Sequence, residues 1–573
     1  MKSIFKNRNL VFLIGFIVLG SILRFWNLGN LPVSLNWDEV SHGYNAFSIL
    51  KTGMDEWGKP FPLIFRSFGD YKLPLYIYLT IIPVWLFGLS AFSVRFISAL
   101  AGTLAIPGIY LLTKELFPKK YLVIGHWSLK IEILSSFFLA ISPWHFFISR
   151  PALEANLALT LIIFGAYFLI QFFNRQSSLL PSVILLGLSL HTYNTARIFV
   201  PLLVFVSLII YRPSLRALAK QSPRLGNAKA IVAILLAILF SGLVLFQVYV
   251  GEGTARYDKL KILSPTTVFQ IGEKRSSSTL PPVIAKLVHN RPVYFIETFT
   301  KNYFGYFSPA FFTQTWGAQY QFAIPGQNLL SLPIYFLSIL GLLSLFTKLK
   351  GNKNSQFLLT WLLLSPIAAS LTSDPPQALR PNPMIPALII MASLGLSFLL
   401  KKLPKKLTRI VIVILSIWII SSFILFFYKY NTEYKIKYSS SWQYGYSQVM
   451  NYIKDHGQEY ERIFITKKYG EPHIFYAFYT KLAPQKIQPG GDNIRFEKSD
   501  WFWTDKIGNI YFINDWQIPK ITIATLPLES GGVISTARSL LITSPDNIPV
   551  NAHVIETINF LDGSPAFIIT GVP

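Results

Sequence analysis

The chain is 573 residues long, contains no cysteine, and carries 52 Lys and Arg against 27 Asp and Glu, a formal charge of +25; its mean hydropathy is +0.44. Without thiols there are no disulfides and no thiolate metal sites. The basic excess does not point to nucleic acid, and no nucleic-acid partner is expected, because Lys and Arg sit mostly in short loops between apolar runs, the pattern of the positive-inside rule.

Apolar runs of about 18 to 25 residues recur, the length that crosses a bilayer core of roughly 30 Å as a helix. The first, residues 10–25 after Lys2, Lys6 and Arg8, has no small-x-small cleavage site behind it and reads as a retained signal anchor. Basic loops mark the cytoplasmic side: the N-terminus, 114–130, 174–178, 212–229, 348–353 and 401–409. Spans near 10–25, 93–113, 131–148, 154–173, 179–191, 196–211, 230–250, 328–347, 356–372, 384–400 and 410–427 satisfy every one of these, about eleven in all. Residues 73–89 are left out, since a crossing there would turn Lys119 and Lys120 outward. That stretch is predicted to lie along the interface with Tyr76, Tyr78 and Trp85 at headgroup depth, the alternative being a true span with inverted charges.

The threading predicts an all-α polytopic membrane bundle over residues 1–427, with a cytoplasmic N-terminus and large outward loops at 26–92 and 251–327. The second of these is expected to pack as short helices over the bundle mouth. Residues 428–573 fall outside the cell membrane and read as a small α/β or β-rich domain: runs at 462–466, 509–514, 520–525 and 566–570 alternate with turns such as Gly490-Gly491 and Gly531-Gly532.

Acidic residues are scarce, so acids beside a membrane boundary are informative. Asp38 and Glu39, just past the first span, suit catalysis: one carboxylate takes a proton while the other orients a neighbour or holds a cation. Equally, Asp38 or Asn36 suits the N-cap of a following helix. Lys72 opens the interfacial stretch, either as a point charge for a lipid phosphate or as a snorkelling side chain. Arg150 and Glu154 flank a short outward turn, where Glu154 also suits a helix N-terminus without any chemistry. His191, Tyr193, Asn194 and Arg197 surround the next outward turn, and Asp374 and Arg380 occupy a later one. Arg197 and Arg380 are the candidates for phosphate, since guanidinium binds it bidentately; pairing with an acid across the bundle is the alternative. No Walker or Rossmann phosphate loop, metalloprotease spacing or Gly-x-Ser-x-Gly elbow occurs.

The order of Arg24-Phe25-Trp26-Asn27-Leu28, Trp37-Asp38-Glu39, Tyr71-Lys72-Leu73-Pro74-Leu75-Tyr76, Ser93-Val94-Arg95-Phe96, Ser142-Pro143-Trp144-His145, the stretch from Ser149-Arg150 to Glu154, and Thr195-Ala196-Arg197 resembles the bacterial branch of the protein O-mannosyltransferase and aminoarabinose transferase family. These are multi-span enzymes of the GT-C fold, and the likeness covers about residues 10–400. It implies a glycosyltransferase with a polyprenyl-phosphate sugar donor and an inverting single displacement onto a protein, glycan or lipid acceptor. Asp38 matches the family's first-loop acid, Lys72 the lysine that meets the donor phosphate, and Glu154 the second-loop acid. Relatives that bind a divalent cation have an acid immediately before that lysine; here Tyr71 takes the place and Asp70 stands one earlier, which leaves a metal open. Rival readings are a polytopic transporter or lipid-linked-sugar flippase, an O-antigen ligase or polymerase, and a membrane anchor for the tail. Charges clustered at outward helix ends, not at the bilayer midplane, weigh against transport.

Overall fold

The computed structural model describes residues 8–118, 121–124, 127–212, 227–250, 255–313, 320–347, 352–373 and 376–573. Asp374, Lys119 and Lys120 lie outside them. The chain forms two compact units: residues 1–26, 98–149 and 153–427, and residues 27–97, 150–152 and 428–573.

The first unit is helical. Among the described residues, Ala91–Leu116, Glu154–Arg175, Ile231–Tyr249, Met384–Lys401 and Lys405–Lys437 are long and apolar enough to cross a membrane, with shorter apolar helices such as Asn9–Phe25, Leu180–Leu190 and Leu332–Phe346 beside them. The chain is a multi-pass membrane protein. Met384–Lys401 is its most enclosed long helix, whereas Ile231–Tyr249 presents nearly all its side chains outward, as a lipid-facing helix does. Leu332–Phe346 lies against Met384–Lys401 at backbone distance: a Cβ on Gly341 would collide with Met391 O, and one on Gly395 with Leu337 O. Ser338 Oγ donates to Leu388 O at 3.0 Å across the same seam.

Two expected spans are broken. Residues 131–148 split into Ile131–Ala140 and Pro143–Ile148, because Ser142 caps the second helix and Pro143 takes its first position. The Arg24 guanidinium donates to Leu139 O and Ala140 O at the break and contacts His145 Nδ1 at 2.8 Å. Residues 356–372 split into Lys353–Leu364 and Ile367–Ser370 around Pro366. The segment after Ile231–Tyr249 forms the short helices Ala255–Leu260, Pro265–Ser276, Pro282–Val288, Arg291–Gly305 and Pro309–Thr313.

The second unit joins the first loop to the tail. Its seven-stranded mixed sheet runs His553–Asn559, Pro565–Val572, Ser539–Thr543, Arg462–Thr466, Ile510–Ile513, Trp501–Ile507, Asn493–Lys498, with the three middle strands parallel. Ser539–Thr543 is buried throughout, as a central parallel strand must be. Phe464, Ile513, Ile523, Leu526, Leu541 and Val572 belong to its core. The strand expected at 520–525 is displaced: Thr525–Pro527 pairs instead with Val533–Ser535 across Gly531-Gly532, both at positive φ. Loop helix Trp37–Thr52 packs on tail helix Pro472–Tyr479, where a Cβ on Gly43 would meet the Phe478 ring at 2.7 Å. Pro74–Phe87 forms in the stretch expected at the interface. Tyr76, expected at headgroup depth, is instead buried with its hydroxyl donating to Val94 O at 2.9 Å, while Trp85 is 69% exposed.

Candidate functional site

Helix Trp37–Thr52 starts with a capping box: Asn36 Oδ1 accepts from Glu39 N at 2.9 Å, and Glu39 Oε2 accepts from Asn36 N at 3.2 Å. The N-cap is therefore Asn36, and both acids fall in the first turn, where the helix dipole favours negative charge. Glu39 is 1% exposed and saturated with donors. Arg95 Nε reaches Oε1 at 2.9 Å, Arg95 Nη2 reaches Oε2 at 3.1 Å, and Ala152 N donates to Oε1 at 2.8 Å. The rest of the Arg95 guanidinium donates to Leu28 O, Pro32 O and Ser34 O, so one ion pair ties the loop entry to the helix start.

Asp38 faces a different setting. Its side chain is 41% exposed and its Oδ1 lies 2.8 Å from Lys72 Nζ, an ammonium on a side chain only 7% exposed. Lys72 ends the hairpin Phe65–Ser67 and Asp70–Lys72, which places Asp70 Oδ2 3.8 Å from the same Nζ. An ammonium thus occupies the ground between the two acids. Among the described residues, no group of three or more His, Asp or Glu could hold a metal. The tail holds both members of the pair. Phe502 N donates to Phe68 O in the hairpin turn at 2.7 Å, and Trp37 N donates to Gln443 Oε1 at 2.8 Å. Arg150, also in this unit, is buried; its Nε donates to the Tyr430 hydroxyl at 3.2 Å and its Nη2 to Leu31 O at 3.0 Å.

In the membrane unit, Arg197 and Arg380 line one cavity of about 170 Å³, together with Asn194, Tyr257, Leu260 and Thr372. Arg197 Nε donates to Leu190 O at 3.1 Å and its Nη2 to Gln247 Oε1; Arg380 Nη1 donates to Thr372 Oγ1 at 3.0 Å. The described lining contains two guanidinium groups and no carboxylate, a composition suited to an anion. His191 is buried with Nε2 3.2 Å from Phe240 O, and Glu154 opens helix Glu154–Arg175 behind an N-cap, Leu153, that has no capping side chain.

No protein-family model matches the sequence, and a search of curated proteins finds no relative. Solved structures do match. ArnT from Cupriavidus metallidurans, both bound to undecaprenyl phosphate and in the apo state, aligns over 97% of this chain and 97% of its own, with 11% identity and a TM-score of 0.53. The fold is GT-C. The oligosaccharyltransferase AglB from Archaeoglobus fulgidus, in complex with an inhibitory peptide and a dolichol-phosphate, aligns over 85% of this chain and 65% of its own, with 14% identity and a TM-score of 0.46.

The second unit of this GT-C chain holds further charged groups, outside the candidates that the sequence singles out. Glu56 pairs with Arg495 at 2.9 Å, accepts from Asn45 Nδ2 at 3.1 Å, and is buried; the Arg495 guanidinium also stacks 3.3 Å from the Trp57 ring centre. Burial pushes the Glu56 carboxyl up and the Arg495 guanidinium down, and the pair's mutual attraction opposes both. Glu471 is pushed up to about 7 by burial, against the opposing pull of the Trp501 indole and Lys467. Trp501 Nε1 donates to its Oε1 at 2.7 Å, and His473 Nδ1 lies 3.4 Å from its Oε2. The scarcity of acids that singled out Asp38 applies equally to Asp55-Glu56, and was the available signal.

Proposed function

We propose that this chain is a membrane glycosyltransferase that moves a hexosyl or pentosyl group from a polyprenyl-phosphate donor to an acceptor hydroxyl on the extracytoplasmic face of the cell membrane, with inversion in a single displacement. The observation that carries the reading is the half-exposed Asp38 carboxylate set 2.8 Å from the buried Lys72 ammonium. It pairs a base open to an incoming hydroxyl with a cation suited to a phosphate.

In this reading the donor phosphate draws Lys72 Nζ toward itself, and the exposed Asp38 carboxylate meets the acceptor hydroxyl. Asp38 takes the hydroxyl proton, and the acceptor oxygen attacks the anomeric carbon. The bond from that carbon to the phosphate oxygen breaks, its electron pair leaving with the polyprenyl phosphate. Phosphate is already a good leaving group, so cationic stabilisation outweighs general acid help. The cavity lined by Arg197 and Arg380 in the membrane unit is an anion-binding site in its own right in this reading. Glu39, with its oxygens taken by four donors, positions the turn and does not react. The first loop and tail share one folded unit and hence one side of the membrane, which supports the even number of crossings between them in the threading. ArnT, whose fold the chain shares, was solved with undecaprenyl phosphate.

The test is turnover in nanodiscs with a panel of radiolabelled polyprenyl-phosphate sugars. Asp38→Asn is expected to lower sugar release about 100- to 10,000-fold while donor still binds. Equal turnover in both proteins, or no donor bound by either, would sink the assignment.

A further inference from the structure

The helices Pro265–Ser276 and Pro282–Val288 are joined at their ends: Arg275 Nε and Nη2 donate to His289 O at 3.0 and 2.8 Å. Ser264 caps the first, accepting from Thr267 N, and Asn290 caps the helix that follows, accepting from Val293 N. Yet the pair buries little of its own apolar surface. In Pro282–Val288 only Ala285 is buried; Val283 is 72% exposed and Leu287 66%, while Phe269 in the partner helix is 67% exposed. Leu280, Ile284 and Val288 are exposed with them. Val283 and Leu287, like Ile284 and Val288, stand one turn apart on their helix, and an exposed apolar surface of this kind is not left facing water.

Position in the fold identifies what covers it. Both ends of the segment are tied to one stretch of the membrane unit: Ser373 N donates to Leu260 O at 2.7 Å, Asn302 Nδ2 to Thr372 O at 2.9 Å, and the Tyr303 hydroxyl to Leu363 O at 2.8 Å. The segment also follows directly on Ile231–Tyr249, the lipid-facing helix, and precedes Leu332–Phe346. The segment is therefore joined in the chain to apolar helices of the membrane unit on both sides. Charge agrees: Lys274, Arg275, Lys286 and Arg291 stand among the apolar residues with Glu273 as the acid in the pair, a composition matched to lipid phosphates. The threading puts this segment on the outward face, where the positive-inside rule gives no reason for a basic excess.

We propose that the helix pair 265–288 docks on the surface of its own bilayer, with Phe269, Val283, Ile284 and Leu287 in the outer acyl layer and the Lys and Arg side chains on anionic lipid headgroups. Amphipathic helices of this kind seat about 5–10 Å into the headgroup and acyl boundary. Since Leu260 and Tyr257 line the cavity that holds Arg197 and Arg380, the docked pair continues from that cavity's wall.

The absence of native cysteine makes the test direct. Val283→Cys and Leu287→Cys, each labelled with a bimane, are placed in nanodiscs with lipids spin-labelled high on the acyl chain; Ser277→Cys serves as the polar control. Label emission is expected to fall at least about two-fold at residues 283 and 287 and to resist aqueous iodide, with the fall weakened by Lys286→Glu or by replacing anionic lipid with zwitterionic lipid. Quenching by iodide and not by the spin-labelled lipid would overturn the proposal. So would pyrene excimer emission between two copies labelled at 283 without lipid quenching, which would assign the surface to a second copy of the chain. None of these readouts depends on turnover, so the outcome is separate from that of the transferase reading.

Discussion

The region around Glu39 and the region around Asp38 start from neighbouring residues of one helical turn and differ in what sets a carboxylate's work. Glu39 enters a closed region, 1% exposed, where Arg95 and two backbone amides take its oxygens. Asp38 enters an open one, 41% exposed, with Lys72 beside it. A buried and saturated acid fixes shape, because removing it strands its partner's charge. A half-exposed acid beside a cation is one that a substrate can reach from solvent.

The largest expected effect tests the closed side. Glu39→Ala leaves the Arg95 guanidinium buried without its carboxylate and should cost about 3–5 kcal/mol of stability, whereas Asp38→Ala should cost less, because Asp70 Oδ2 remains 3.8 Å from the Lys72 ammonium. Thermal melts of both in detergent, followed by tryptophan emission, check this; equal melting temperatures would erase the contrast. Next comes Arg380→Ala, expected to cost about 3–4 kcal/mol in kcat/KM, with Arg380→Lys recovering only part because a point charge replaces a bidentate fork. Full recovery by lysine would show that geometry at that cavity does not matter.

The smallest effect concerns Glu471, a buried acid whose closest hydrogen-bond donor is a neutral indole instead of a guanidinium. Its carboxyl is raised by burial from the ordinary value near 4.5 to about 7, so the folded protein holds that proton more tightly than the unfolded chain. The stability this contributes is fully present below about 4.5 and is lost as pH rises toward about 7, at most about 3 kcal/mol in all. Glu471→Gln should flatten melting temperature across that window and melt higher than the parent above it. A parent curve already flat there would show that Glu471 does not set the pH dependence of stability.

Much of the fold was legible because a bilayer imposes length and hydropathy on each crossing, and hydropathy is a local property of the chain. The strands Arg462–Thr466 and Ile510–Ile513 were legible for a similar reason, as short β-rich runs bounded by turns. The break at Ser142-Pro143 carried a helix-start signal and the one at Pro366 a helix-breaking proline, but apolar character continues across both and masked them. At the candidate site, scarcity of acids singled out the pair at 38 and 39. Which acid is closed and which open was not legible, since that depends on Arg95, 56 residues further on. The tie between Glu56 and Arg495 left no periodic trace at all.

That tie spans 439 positions. A ribosome adding about 5–20 residues per second needs roughly 20–90 s to travel from one partner to the other. Through that interval Glu56 has no guanidinium to meet, and the hairpin bearing Lys72 has no Phe502 amide to dock on. A loop made early is thus finished by a part made much later. Maturation around Asp38 runs on the clock of translation, and it completes only after the intervening membrane helices have been synthesised.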